Sequence, residues 1–198
     1  MRRICVFCGS AEGARPAYAD AARALGRELA KRGLGLVYGG GSVGLMGALA
    51  ESVLDHGGAV TGVIPDFLVN REHMLLRVQE RVITRDMHER KWVMFERADA
   101  FVALPGGVGT LEELVEQLTW AQLGRHKKPI LILNIANFWE PLCQLLEQME
   151  RLDFIRAGLP VKLLVAERVE DILPKLLEAA RSVSEPEKEM TSVAAERM

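Results

Sequence analysis

Two adjacent glutamates, Glu112 and Glu113, stand just after a glycine turn, and a cationic pair, Arg90-Lys91, precedes them in the chain. A carboxylate beside a sugar can stabilise an oxocarbenium-like transition state, activate water or attack the anomeric carbon. Guanidinium and ammonium groups bind anions such as phosphate. The turn, Pro105-Gly-Gly-Val-Gly-Thr110, joins an apolar run of strand length to an amphipathic pattern beginning at Leu111, so bare backbone N–H groups gather at a helix start and attract an anion. A second glycine loop, residues 39–47, repeats the arrangement. Together these features point to a phosphorylated sugar or nucleotide held by amides and cations, with a glutamate at the reacting centre. Glu113 is the leading candidate and Glu112 its rival, because neighbouring helical residues point about 100° apart.

Each feature also has a purely structural explanation. Thr110-Leu-Glu-Glu113 fits a capping box, in which the threonine caps the helix and the glutamate reaches back to it. Arg90-Lys91 fits a solvated helix face. The segment from Gly39 to Gly44 formally matches the dinucleotide fingerprint GxGxxG, but it follows the second strand, and the only acid at a suitable distance is Asp66, beyond Pro65. Cys5 and Cys8 form a CxxC within a strand, where positions three apart face opposite sides, so they are read as structural. Four scattered histidines give no metal-ligand spacing.

The elements that must position these groups alternate. Strands are expected at residues 3–7, 34–38, 59–64, 79–84, 99–104, 128–133 and 162–166. Helices are expected at 16–31, from the 39–47 loop to about His56, at 86–97, from Leu111 to near Gly124, at 139–152 and at 169–180. Runs such as Ile130-Leu-Ile-Leu133 are apolar on both faces. The fold class is therefore α/β, a doubly wound, mostly parallel, Rossmann-like sheet with helices on both faces. In such sheets ligands bind at the carboxyl ends of the strands, so Ser10, Gly40, Gly41, Glu72, Arg90, Lys91 and the 106–113 segment can converge on one edge.

The 198 residues fit a single domain over residues 1–181, and the polar segment 182–198 is expected to be a disordered tail. Hydrophobic residues at 49% and charged residues at 26% describe an ordinary globular chain. A net charge of −2 argues against nucleic acid as a partner, and no apolar run approaches the roughly 20 residues of a membrane span. An odd count of three cysteines and the lack of a signal core place the expected home in the cytoplasm.

Pro105-Gly-Gly-Val-Gly-Thr-Leu-Glu-Glu113 resembles the PGGxGTxxE signature of the LOG ("lonely guy") family, long labelled lysine decarboxylases, and Met87-His-Glu-Arg-Lys91 resembles that family's second signature. The segment 39–47, Arg71-Glu72 and Thr119-Trp-Ala-Gln-Leu-Gly124 look like further family segments in the family's order. The resemblance implies hydrolysis of the N-glycosidic bond of cytokinin riboside 5′-monophosphates, with activity on AMP, giving free base and ribose 5-phosphate. It implies Arg90 and Glu113 as the catalytic pair, with Glu72, Lys91, Gly107, Val108, Gly109, Thr110, Leu111, Glu112 and Thr119 on the nucleotide. It also implies a homodimer; the chemistry of these roles requires no metal or redox cofactor. A nucleotide-binding or carrier protein of the same fold is the alternative. Lysine decarboxylation is a poorer one, because no lysine constellation for a pyridoxal phosphate Schiff base stands out.

Overall fold

The computed structural model describes residues 1–69, 73–155 and 158–195, with side chains through residue 182. Among the described residues, seven strands and six α-helices follow one another, alternating except between β3 and β4: β1 (Arg3–Phe7), α1 (Pro16–Lys31), β2 (Gly35–Tyr38), α2 (Gly44–Asp55), β3 (Val60–Pro65), β4 (Glu80–Thr84), α3 (Met87–Arg97), β5 (Ala100–Ala103), α4 (Val108–Gln122), β6 (Ile130–Leu133), α5 (Glu140–Arg151), β7 (Leu164–Ala166) and α6 (Val169–Ala195). Every strand pair is parallel, and the order across the sheet is β4-β3-β2-β1-β5-β6-β7. The chain lays down β1 to β4 in one direction, then returns to pair β5 with the other side of β1. That reversal opens a crevice above β1 and β5, the place where doubly wound sheets bind ligands.

The sheet separates two apolar layers. One holds Leu25 and Leu29 of α1, Leu49 and Val53 of α2, and Ile172 and Leu176 of α6. The other holds Met94 and Phe95 of α3 and Leu114 and Leu118 of α4, with Leu142 and Leu146 of α5 packed against it. Leu25, Leu29 and Leu49 have no exposed surface, and burial of each such side chain contributes about 2 kcal/mol. Cys5 faces one layer and Cys8 the other, as period-two alternation requires.

Candidate active site

The crevice is closed at its base by backbone. Gly9 N–H donates to the Pro105 carbonyl at 3.0 Å, tying the loop after β1 to the loop after β5. The Gly9 carbonyl in turn accepts from Leu45 N–H at 3.0 Å and Met46 N–H at 3.3 Å, two of the first amides of α2. In the 39–44 loop, Gly41 bridges Met74, Leu75 N–H donates to the Gly40 carbonyl, and Ser42 N–H donates to the His73 carbonyl. Gly40 and Gly41 therefore sit in a loop pinned by its neighbours, while Ser10 is exposed at the crevice.

The start of α4 is different. Its N-cap is Gly107, with no side-chain cap, and the first intrahelical bond runs from Leu111 N–H to the Gly107 carbonyl. The amides of Val108, Gly109 and Thr110 precede that bond, and Gly107, Val108 and Gly109 are exposed, Val108 by 83%. This corrects the capping-box reading: the helix begins three residues before Leu111, so Thr110 lies inside its first turn and Glu113 beyond it. The glycine at 106 makes that geometry fit. A Cβ there would lie 2.2 Å from Thr110 Oγ1 and 2.9 Å from Gly9 N, so only glycine lets the threonine hydroxyl and the neighbouring loop close over it.

Asp86 caps α3 by accepting from Glu89 N–H at 2.8 Å, and the Glu89 carboxylate accepts from Arg85 N–H at 2.8 Å. The capped turn presents Arg90 and Lys91 inward, each 7% exposed, which overturns the solvated-face reading. Arg90 Nε donates to the Val63 carbonyl at 3.1 Å, and Nη1 donates to Glu113 Oε1 at 2.7 Å. With side chains 9% and 8% exposed, Arg90 and Glu113 form a buried ion pair between the ends of β3 and α4. Glu112 turns the other way: it is half exposed and pairs with Lys91, as does Glu116 at 2.9 Å. Burial pulls the Lys91 pKa down, but hydrogen bonds to Glu112 and Glu116 outweigh it, and the ammonium titrates above the usual lysine range.

The remaining candidates fall into place unevenly. Leu111 is partly exposed on the first turn of α4. Thr119 is exposed, its hydroxyl donates to the Val115 carbonyl at 2.8 Å, and it stands about 18 Å along the helix axis from Gly107. Glu72 and its neighbour Arg71 lie outside the described residues. Sequence reasoning missed Val63, whose contribution is a carbonyl and carries no side-chain signal, and Glu116, whose spacing of four from Glu112 puts both on one face. Cavities of about 310 Å³ beside α1 and α2 and about 470 Å³ between α3 and α4 are not lined by Arg90 or Glu113. Among the described residues no cluster of three or more His, Cys, Asp or Glu could hold a metal ion, and no helix is long and apolar enough to cross a membrane. Burial, and after it the nearby Glu113 charge, push the Cys5 thiol well above its ordinary range, so it is no nucleophile.

A family model described as possible lysine decarboxylase matches residues 46–176. The chain is 49% identical over 183 residues to the probable cytokinin riboside 5′-monophosphate phosphoribohydrolase LOGL1 of Oryza sativa subsp. japonica, covering 92% of this chain and 82% of that protein. The chain belongs to the LOG family. It is also 46% identical over 180 residues to the cytokinin riboside 5′-monophosphate phosphoribohydrolase LOG3 of Arabidopsis thaliana, covering 91% and 84% of the two chains. Among solved structures, the molybdenum cofactor binding protein of Rippkaea orientalis superposes with a TM-score of 0.67 at 23% identity, over 89% of this chain and 96% of that one, a likeness of fold alone. The decarboxylase label on the LOG family model finds no support in Lys91: a Schiff-base lysine must lose its proton, and two carboxylates hold this one protonated.

Proposed function

We propose that this chain is a phosphoribohydrolase that cleaves the N-glycosidic bond of cytokinin riboside 5′-monophosphates and of AMP, releasing free base and ribose 5-phosphate. The observation that carries this reading is the buried Arg90–Glu113 pair set behind the open first turn of α4. The amides of Val108, Gly109 and Thr110 and the helix dipole receive the 5′-phosphate. Glu113 lies about 9 Å along the axis from Gly107, and helical side chains lean back toward the N-terminus, so its carboxylate stands about one phosphorylated sugar away. There it stabilises positive charge developing on the ribose and directs a water to the anomeric carbon. Arg90 fixes the carboxylate and offers its remaining donors to the departing purine, whose nitrogen takes up negative charge as the bond breaks. The C–N electron pair leaves with the base, the water oxygen bonds to the anomeric carbon, and its proton passes to the base.

Ser10, Gly40, Gly41, Glu72, Leu111 and Glu112 complete the proposed nucleotide surroundings, and Lys91 orders Glu112. A cytoplasmic homodimer fits the same reading. Leu111, Val115 and Leu123 along α4 and Trp92 on α3 are exposed apolar side chains that a second copy would cover. Thr119, too far along α4 to share a nucleotide with Gly107 in one chain, fits its role only toward a nucleotide held by that second copy. Incubation with AMP and with isopentenyladenosine 5′-monophosphate tests the proposal. Adenine or isopentenyladenine together with ribose 5-phosphate is the expected outcome; saturable binding without product would make the protein a carrier instead.

A further inference from the structure

We infer that Gly39, which no part of the proposed chemistry uses, is a positioning residue that sets the orientation of the Arg90 guanidinium. This inference rests on the hydrolase reading of Arg90 and Glu113. The guanidinium is held on two of its three nitrogens: Nε by the Val63 carbonyl at 3.1 Å and Nη1 by Glu113 at 2.7 Å. Nη2 makes no hydrogen bond among the described residues, and it lies against the backbone of Gly39. A Cβ on Gly39 would stand 2.4 Å from Nη2 and 2.9 Å from Met46 Sδ. Residue 39 is thus the wall of the slot in which the third nitrogen rests, and the absence of a side chain is what gives the slot its depth.

The two neighbours of that missing Cβ are tips of flexible side chains, and Gly39 has no positive φ, so alanine there is compatible with the fold. Arg90, 7% exposed, has little room to absorb the change: moving Nη2 swings the fork away from Val63, from Glu113, or from both. The site would keep its phosphate-binding amides and lose the alignment of its cation. Displacement of about 1 Å in a catalytic constellation costs about 10²-fold in rate.

Gly39→Ala is therefore expected to lower kcat about 10²-fold while KM for AMP and the melting temperature stay close to those of the parent. The decisive readout is the same substitution in an Arg90→Lys background, measured in single turnover with enzyme in excess. Lysine has no Nη2, so Gly39→Ala should add almost nothing there. Parent-like kcat in Gly39→Ala, or an undiminished penalty in the lysine background, would overturn the inference. If Gly39→Ala folds poorly, Met46→Ala removes the second neighbour, and the same comparison is made in that background. Impaired Arg90→Lys with a fully active Gly39→Ala defeats the positioning role alone; an Arg90→Lys enzyme with normal turnover defeats the catalytic reading, and the positioning role with it.

Discussion

Replacing Glu113 by glutamine tests the site most directly, because it removes a charge and almost nothing else. The parent pair is 2.7 Å apart with side chains 9% and 8% exposed, so little water screens it. Breaking a buried pair outright costs about 3–5 kcal/mol, but the glutamine oxygen can still accept from Arg90 Nη1, and the expected loss of stability is about 1–3 kcal/mol. For a chain of this length each kcal/mol moves the melting temperature by about 2–4 °C. The enzyme should therefore remain folded at assay temperature. Catalysis should suffer far more: loss of the carboxylate proposed to direct water and balance ribosyl charge is expected to lower kcat about 10²–10⁴-fold, equal to about 3–5 kcal/mol of barrier. Chromatographic separation of AMP from adenine measures turnover, and calorimetric titration with AMP checks that the first turn of α4 still binds phosphate. Glu112→Gln is the comparison within the same site. Its carboxylate is half exposed and pairs with Lys91, so the change should fall mainly on KM for AMP and lower kcat far less than Glu113→Gln does. Full turnover in Glu113→Gln, or an equal loss in Glu112→Gln, would refute the assignment.

Other outcomes follow from the same geometry. Gly106→Ala should destabilise the crevice and raise KM for AMP, because the new Cβ collides with Thr110 and with the backbone of Gly9; thermal melts and initial rates report both. Lys91→Met should lower the melting temperature by leaving Glu112 and Glu116 facing each other, and Lys91→Met with Glu116→Gln should recover part of it. Burial, the largest effect on His126, depresses its pKa below the ordinary 6.5, so the folded state resists a proton that the unfolded chain accepts. Its contribution to stability is complete above about pH 6.5 and declines as pH falls below that value; melts between pH 7.5 and 5.5 should show the decline, and His126→Gln should flatten it.

Much of this molecule is written locally in the chain. Pro16 and Gly33 bracket α1, with the glycine in the left-handed region at φ 64°, and the doubly apolar strands fix a sheet covered on both faces. The site was legible as residue types on one edge, and its pairing was not. Arg90 meets Glu113 because β3, α3 and α4 are brought together by the strand order, and Lys91 takes the two glutamates on the face that Glu113 does not share. The start of α4 lies three residues before the Leu111 that apolar spacing indicates, and Thr110 and Glu113 carry the letters of a capping box without Thr110 taking the cap. The local rule lost to a close approach: the Gly106 backbone nestles against Gly9 and the threonine hydroxyl, and Gly107 takes the cap. The Gly9 carbonyl on α2 had no sequence signal at all, since a backbone oxygen is the same in every residue.

That carbonyl decides how many anions the crevice can welcome. A chain with two glycine turns looks equipped for two phosphates, yet the amides of Leu45 and Met46 already donate to Gly9. One helix start remains open. On the proposed reading, a ligand bearing a single phosphate finds its donors at α4, whereas a pyrophosphate reaching across the crevice meets the Gly9 carbonyl and two amides already engaged with it. A preference for nucleoside monophosphates over diphosphates and dinucleotides would then follow from the way two loops are fastened together, with no side chain assigned to the task.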